Sequence, residues 1–186
     1  QYMRTFLAIS VPDEVRMLAQ ETKEKIAAAR VNIKWVEYEN YHLTVKFLGD
    51  VTDEKVQQIR KLMQTVGDNC PAFQLRINGL GFFPNRFRPR IIWLGMGGEL
   101  DKAQFLGNRV DNYLYELGFE PEKQHRFHLT LGRIRCDIDT AKTLERAAAS
   151  KMNPISFTVD EFYLMESILR PEGPVYKRID SFKLNG

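Results

Sequence analysis

Cysteine is scarce in this chain: Cys70 and Cys136 are the only two. They are too few and too far apart for a disulfide framework or a paired-cysteine metal site, and they read as free thiols of a reducing compartment. Histidine is nearly as rare, with His42, His125 and His128 alone. There is no His-Glu-x-x-His, no Gly-x-Ser-x-Gly elbow and no Walker loop, so zinc-hydrolase, serine-nucleophile and P-loop chemistries all lack their residues. No apolar run approaches the roughly 20 residues that a spanning helix needs, and no leader-like apolar stretch stands near the N-terminus. A cytoplasmic monomer with no membrane contact, no metal and no cofactor is the expectation. Met3 reads as the natural start, with Gln1 and Tyr2 as additions ahead of it. Formal net charge is only +3, which permits nucleic-acid contact without requiring it.

What the chain does have is material for a core. At 186 residues, 44% hydrophobic and with twelve Phe, it suits one domain, or two small lobes sharing a core. Periodicity predicts strands over 4–10, 33–36, 42–48, 73–80, 90–96, 127–134, 157–164 and 176–184. It predicts helices over 12–30, 52–66, 100–117 and 139–150. Gly49-Asp50 and Gly97-Gly98 are expected to end strands, and Gly118 a helix. Several strands follow one another directly, which favours an α+β fold with largely antiparallel sheets.

One tripeptide occurs twice, as His42-Leu43-Thr44 and His128-Leu129-Thr130, each opening a short apolar stretch. The repeat hints at two similar lobes. On a strand, residues i and i+2 share a face. His42, Thr44 and Lys46 would then share one face and Leu43, Val45 and Phe47 the core face, and His128 and Thr130 would likewise oppose Leu129 and Leu131. Each motif presents an imidazole beside a hydroxyl. Imidazole, with an ordinary pKa of about 6.5, gives or takes a proton near neutral pH, so two of them supply one general acid and one general base. Each threonine hydroxyl can donate to a phosphate oxygen.

Strict alternation would aim Arg133 away from the histidine face, unless Gly132 accommodates a bulge, or the long side chain curls back from the strand end, to bring the guanidinium to a phosphate. A surface arginine in a salt bridge is the equal alternative. Arg86, Arg88 and Arg90 alternate in one loop, and Lys123, Arg126, Arg133 and Arg135 bracket the second motif. Such basic surroundings suit an anionic substrate such as a phosphate ester. His125 lacks a following hydroxyl and reads as a surface or supporting residue. Gly79-Leu-Gly-Phe-Phe-Pro84 reads as a turn with aromatic contacts rather than a dinucleotide fingerprint. Phe82, Phe83 and Phe87 are assigned to core packing ahead of base stacking.

The segments HLTVKFLG and HLTLGRI resemble the two HxTx signatures of the two-histidine phosphoesterase superfamily. RTFLAISVP, FFPNRFRPRIIWLG and LMESILRPEGPVY extend the likeness over nearly the whole chain, closest to the RNA 2′,3′-cyclic phosphodiesterase branch (LigT-like, also called 2′-5′ RNA ligase). The resemblance implies one bilobal α+β domain over 1–186, with two antiparallel-sheet lobes, helices outside, and pseudo-twofold symmetry about a central cleft. It implies metal-independent opening of a terminal 2′,3′-cyclic phosphate to a 2′-phosphate on RNA ends or small cyclic nucleotides. His42 would be the proton donor and His128 the proton acceptor, with Thr44, Thr130 and Arg133 holding the phosphate. Phe127 stands where the family often has proline, which bears on the loop entering the second motif. Reversible 2′-5′ ligation and a non-catalytic module that binds RNA ends are the alternatives.

Overall fold

In a computed structural model the described residues are 1–27, 32–85, 89–135 and 152–186. Strand β1 (Tyr2–Ser10) carries the run Thr5 to Ile9, buried on both faces. Helix α1 (Asp13–Ala27) opens with Asp13 and Glu14, whose charges suit a helix start, and buries Val15, Ala19, Thr22 and Ile26 at helical spacing. Strand β2 (Ile33–Trp35) and a 3-10 turn (Tyr38–Asn40) lead into β3 (His42–Thr52). The Thr52 hydroxyl then accepts from the Lys55 amide at 3.2 Å and caps α2 (Asp53–Asn69). Strands β4 (Phe73–Phe83) and β5 (Ile91–Gly98) form a hairpin. Helix α3 (Leu100–Leu114) runs into a 3-10 turn that ends at Gly118, whose φ of 92° is left-handed. Strands β6 (His128–Ile134), β7 (Ser156–Val159), β8 (Glu161–Arg170) and β9 (Gly173–Lys183) complete the described elements.

The α+β expectation holds, and the described strand pairs are all antiparallel. The two halves are not separate sheets. They join into one sheet ordered β7-β4-β5-β6-β3-β1-β8-β9, with β2 pairing on β6. The seam between β6 and β3 is a single residue pair, Leu43 with Leu129. Each half repeats a unit of strand, helix and histidine strand: β1-α1-β3 on one side and β5-α3-β6 on the other. Leu43 and Leu129 lie in the same buried cluster as the inward residues of the three described helices.

Several boundaries differ from the sequence reading. The first histidine strand continues through Gly49-Asp50 to Thr52, because Tyr2 to Thr5 of β1 keep pairing with it. Gly97 and Gly98 remain within β5, opposite Arg76 and Leu75. The stretch 157–164 is two strands: the chain leaves β4 after Val159, pairs with β9 from Glu161 and with β1 from Tyr163, crossing from one half of the sheet to the other. The expected helix over 139–150, the end of the first helix near Arg30, and Cys136, Arg86, Phe87 and Arg88 lie outside the described residues.

Candidate active site

The seam places the two motifs. An antiparallel pair centred on Leu43 and Leu129 sets His42 towards Thr130 and Thr44 towards His128 on the face opposite the leucines. Past each threonine the ladder slips by one residue. Ala8 pairs with Thr44 but Leu7 with Lys46, leaving Val45 bulged; Trp93 pairs with Thr130 but Ile92 with Gly132, leaving Leu131 bulged. Both motifs therefore bulge at the same position, and alternation inverts beyond it.

This inversion overturns the face assigned to Lys46 and Phe47. Lys46 turns inward and is 3% exposed, whereas Phe47 turns out and is 72% exposed. The same slip brings Arg133, two residues past its bulge, onto the histidine face, as the bulge alternative anticipated. Glycine is needed at position 132, since a Cβ there would lie 2.7 Å from Ile33 Cγ2 and 2.9 Å from the Trp35 ring. His42, Thr44, Phe47, Thr130, Arg133 and Tyr176 line one cleft of about 280 Å³. His128 lines a second, larger cavity of about 610 Å³ beside it, with Phe82, Phe83, Trp93, Arg126 and Phe127. Phe82 and Phe83 thus border the site, and Phe83 is exposed rather than in the core.

His42 is held on both ring nitrogens. Nδ1 lies 2.7 Å from the Asn40 carbonyl oxygen, which only accepts, so Nδ1 carries a proton and donates. Nε2 lies 2.9 Å from the Thr44 hydroxyl, accepting from it in the neutral ring and donating to it in the imidazolium. Phe6 and Tyr176 pack on the ring with centroids 5.0 and 5.3 Å away. Burial holds the His42 pKa below 6.5; the Asn40 carbonyl pulls it up and the Arg16 charge pushes it further down. The His128 ring makes no hydrogen bond among the described residues and packs near Trp93, 5.7 Å between centroids. Its pKa is also lowered, by burial and then by the Arg126 charge. The Trp93 indole lies flat on the sheet because Gly81 and Gly95 leave room; a Cβ on Gly95 would come within 2.8 Å of it.

His125 is a supporting residue and not a surface one. It is 4% exposed, with Nε2 2.7 Å from Asp111 Oδ2 and Nδ1 3.1 Å from the carbonyl of the bulged Val45. Asp111 also meets Lys46 Nζ at 2.7 Å and accepts from the Glu122 amide at 3.1 Å, while Lys46 donates to the Glu120 carbonyl at 2.6 Å. The other bulge is propped on its carbonyl too, but by backbone alone: the Val36 amide donates to the Leu131 carbonyl at 2.8 Å. In each half, the segment entering one histidine strand holds the bulge of the other. Phe127 is buried beside His125, so the loop into the second motif is anchored by packing. Sequence reasoning missed Phe47, Trp93, Tyr176, Phe6 and Asp111. Only the small glycines around Trp93 offered a signal. Among the described residues no three His, Cys, Asp or Glu side chains gather as a metal site would need, and no helix is long and apolar enough to cross a membrane.

A curled antiparallel sheet with two His-x-Thr strands paired at its seam is the architecture of a two-histidine phosphoesterase. The model of the LigT like Phosphoesterase family matches residues 9–93 and 99–176, and the chain belongs to that family. A Thermotoga maritima protein named RNA 2′,3′-cyclic phosphodiesterase is 34% identical over 99% of this chain and 97% of its own length. A protein of the same name from Archaeoglobus fulgidus is 34% identical over 97% of this chain and all of its own. The crystal structure of a Thermus thermophilus protein superposes with a TM-score of 0.81 at 28% identity, covering 99% of both chains. E. coli LigT complexed with 3′-AMP superposes with a TM-score of 0.78 at 25% identity over the full length of both.

Proposed function

We propose that this chain hydrolyses the 2′,3′-cyclic phosphate at RNA ends to a 2′-phosphate, with His42 as proton donor and His128 as proton acceptor. The reading rests on one observation: the Leu43–Leu129 pair brings both imidazole–hydroxyl pairs to one face of the sheet. Relatives named for this activity cover 97–99% of the chain. Thr44, Thr130 and Arg133 take the phosphate oxygens, hydroxyls and guanidinium both suiting that geometry. His128 removes a proton from water as its oxygen bonds to phosphorus. The bond from phosphorus to the 3′-oxygen breaks, and His42 delivers its Nε2 proton to that oxygen.

One hydrogen bond favours this order of roles. The Asn40 carbonyl on Nδ1 supports the imidazolium of His42, the form a donor needs, against burial and the Arg16 charge, which both lower its pKa. Arg126 disfavours the imidazolium of His128 and so keeps the neutral form a base needs. Every group in the scheme comes from one chain, so a monomer suffices. Cys70 is a buried free thiol, in keeping with the cytoplasm as the setting. The 610 Å³ cavity beside His128 is of ligand size and supports a second reading, in which the 5′-hydroxyl of another RNA replaces water and a 2′-5′ junction forms.

The test is a short RNA ending in a 2′,3′-cyclic phosphate, with the product phosphate mapped and both histidines replaced in turn. His42→Ala and His128→Ala should each lower kcat by about 10²–10⁴, the usual worth of one acid or base. Retention of most activity in either variant would refute the assignment. Adding a 5′-hydroxyl RNA and looking for a 2′-5′ junction separates the two readings.

A further inference from the structure

We propose that the cavity on the far side of His42 is a subsite for the phosphodiester just upstream of the RNA's terminal nucleotide, bound by Arg16 and Arg178. The inference rests on the hydrolase reading and adds to it the path of the strand. The cavity measures about 380 Å³ and shares His42, Asn40 and Tyr176 with the cleft of Thr44, Thr130 and Arg133. The His42 imidazole is therefore part of the wall between the two spaces.

Two guanidiniums line this space with no carboxylate paired to either among the described residues; Glu161, held by the Tyr163 hydroxyl and Lys183, feels the Arg178 charge without forming an ion pair with it. Among the described residues Arg16 hydrogen-bonds only to backbone carbonyls, those of Val11 at 3.3 Å and Tyr38 at 2.9 Å. Arg178 lies over the Tyr163 ring, 3.8 Å from its centroid. Among the described residues neither forms an ion pair with a carboxylate. Glu39 is the one carboxylate in the wall, and it is solvent-exposed. Guanidinium groups bind phosphodiesters through paired N–H donors, and Tyr163 and Tyr176 provide ring faces of the kind that RNA sites use.

Chain direction selects this side. In the proposed reaction His42 protonates the 3′-oxygen, so the ribose bearing that oxygen rests against His42. The strand leaves that ribose through its 5′-oxygen, which is bonded to the next phosphate. A cationic space across His42 from the reacting phosphate lies where that phosphate arrives. The cavity beside His128 faces the entering water, and its wall is dominated by Phe82, Phe83, Trp93 and Phe127. Arg16 also works against protonation of His42, and an anion seated beside it would relieve that effect and favour the donor.

The experiment compares a nucleoside 2′,3′-cyclic phosphate with a dinucleotide ending in the same group, which carries one upstream phosphodiester. Arg178 is exposed, so Arg178→Gln should fold. It is expected to lower kcat/KM for the dinucleotide about tenfold more than for the mononucleotide, the scale of one charged hydrogen bond. Arg178→Lys should recover part of the loss. A dinucleotide with an uncharged methylphosphonate linkage should behave alike with wild type and variant. Equal losses on both substrates, or no loss on either, would overturn the subsite. So would a selective dinucleotide loss found for Arg126→Gln instead, which would place the strand beside His128. Absence of wild-type turnover on both substrates would remove the hydrolase reading and this subsite with it, whereas mononucleotide turnover with no dinucleotide selectivity removes the subsite alone.

Discussion

Asp111 is the anion on which the buried support of the first motif converges, and its removal has a calculable cost. The isosteric Asp111→Asn change keeps the shape and deletes the charge. Lys46 would then keep the Glu120 carbonyl at 2.6 Å, the half-exposed Glu122 carboxylate at 3.7 Å and a neutral amide oxygen where the Asp111 anion stood. Breaking a buried ion pair by removing one partner costs about 3–5 kcal/mol, because the other charge stays buried without compensation. The remaining partners of Lys46 put this site at the low end, about 3 kcal/mol. For a chain of this size that corresponds to a fall in Tm of about 6–12 °C. Asp180 provides the control: its pair with Arg60 is as short, 2.8 Å, but both side chains are partly exposed, so Asp180→Asn should cost about 0–1 kcal/mol. Urea unfolding of both variants measures the contrast. Adding Lys46→Met to Asp111→Asn should restore much of the loss, since no unpaired ammonium then remains. Equal costs at Asp111 and Asp180, or a cost below about 1 kcal/mol at Asp111, would refute the reasoning.

Four further outcomes follow from the same geometry. Burial holds both His42 and His128 below 6.5, so both limbs of the kcat/KM–pH profile should lie on the acid side of those expected for ordinary imidazoles. Between those lowered values and about 6.5 the unfolded chain binds more protons than the folded one; stability should therefore rise with pH across that window, and His42→Gln with His128→Gln should flatten the rise in urea titrations. Gly81→Ala would drive a methyl into the Trp93 indole, at a cost of about 1–3 kcal/mol; because Trp93 flanks His128, kcat should fall and the tryptophan emission should shift, and an unchanged emission would contradict the placement. Tyr41 is 1% exposed and its hydroxyl has no hydrogen-bond partner among the described residues. Burial, then Glu37 and Glu24, pushes its pKa up to about 12, so Tyr41→Phe should be neutral or stabilising in thermal unfolding.

The sequence made the histidines and threonines legible because period-two alternation needs only local order, and both tripeptides lie ahead of any irregularity. It failed first at Lys46 and Phe47, one residue past a slip in pairing. A bulge leaves no mark in the bulged strand's own composition: Val45 and Leu131 are ordinary strand residues, and only their partners on β1 and β5 skip them. At Arg133 the neighbouring Gly132 gave a local hint, and the bulge reading there was correct. His125 looked peripheral because its meaning depends on Asp111, a residue of α3 that sequence cannot bring to it. The strand expected over 157–164 was two strands because hydrophobic pattern records burial but not which neighbour provides it. Phe157 is buried against β4 and Phe162 opposite Phe182 of β9, on either side of Asp160.

The paired bulges also explain how a near-symmetric site carries out an asymmetric reaction. Two identical His-Leu-Thr motifs related by the seam cannot by themselves distinguish donor from acceptor. The slip after each threonine returns one further side chain per half to the histidine face, and here the halves diverge: Phe47 on one strand, Arg133 on the other. Divergence continues in the support, with a carbonyl on His42 Nδ1 and no equivalent hydrogen bond to His128 among the described residues. The bulge props diverge as well, a buried charged network at Val45 and a single backbone amide at Leu131. A backbone amide has no side chain to lose, so substitution at Val36 should leave the His128 half in register. The His42 half depends on His125, Asp111 and Lys46. In the proposed reaction that is the half delivering the proton to the leaving oxygen, so His125→Phe should lower kcat for a cyclic-phosphate RNA more than Val36→Ala does.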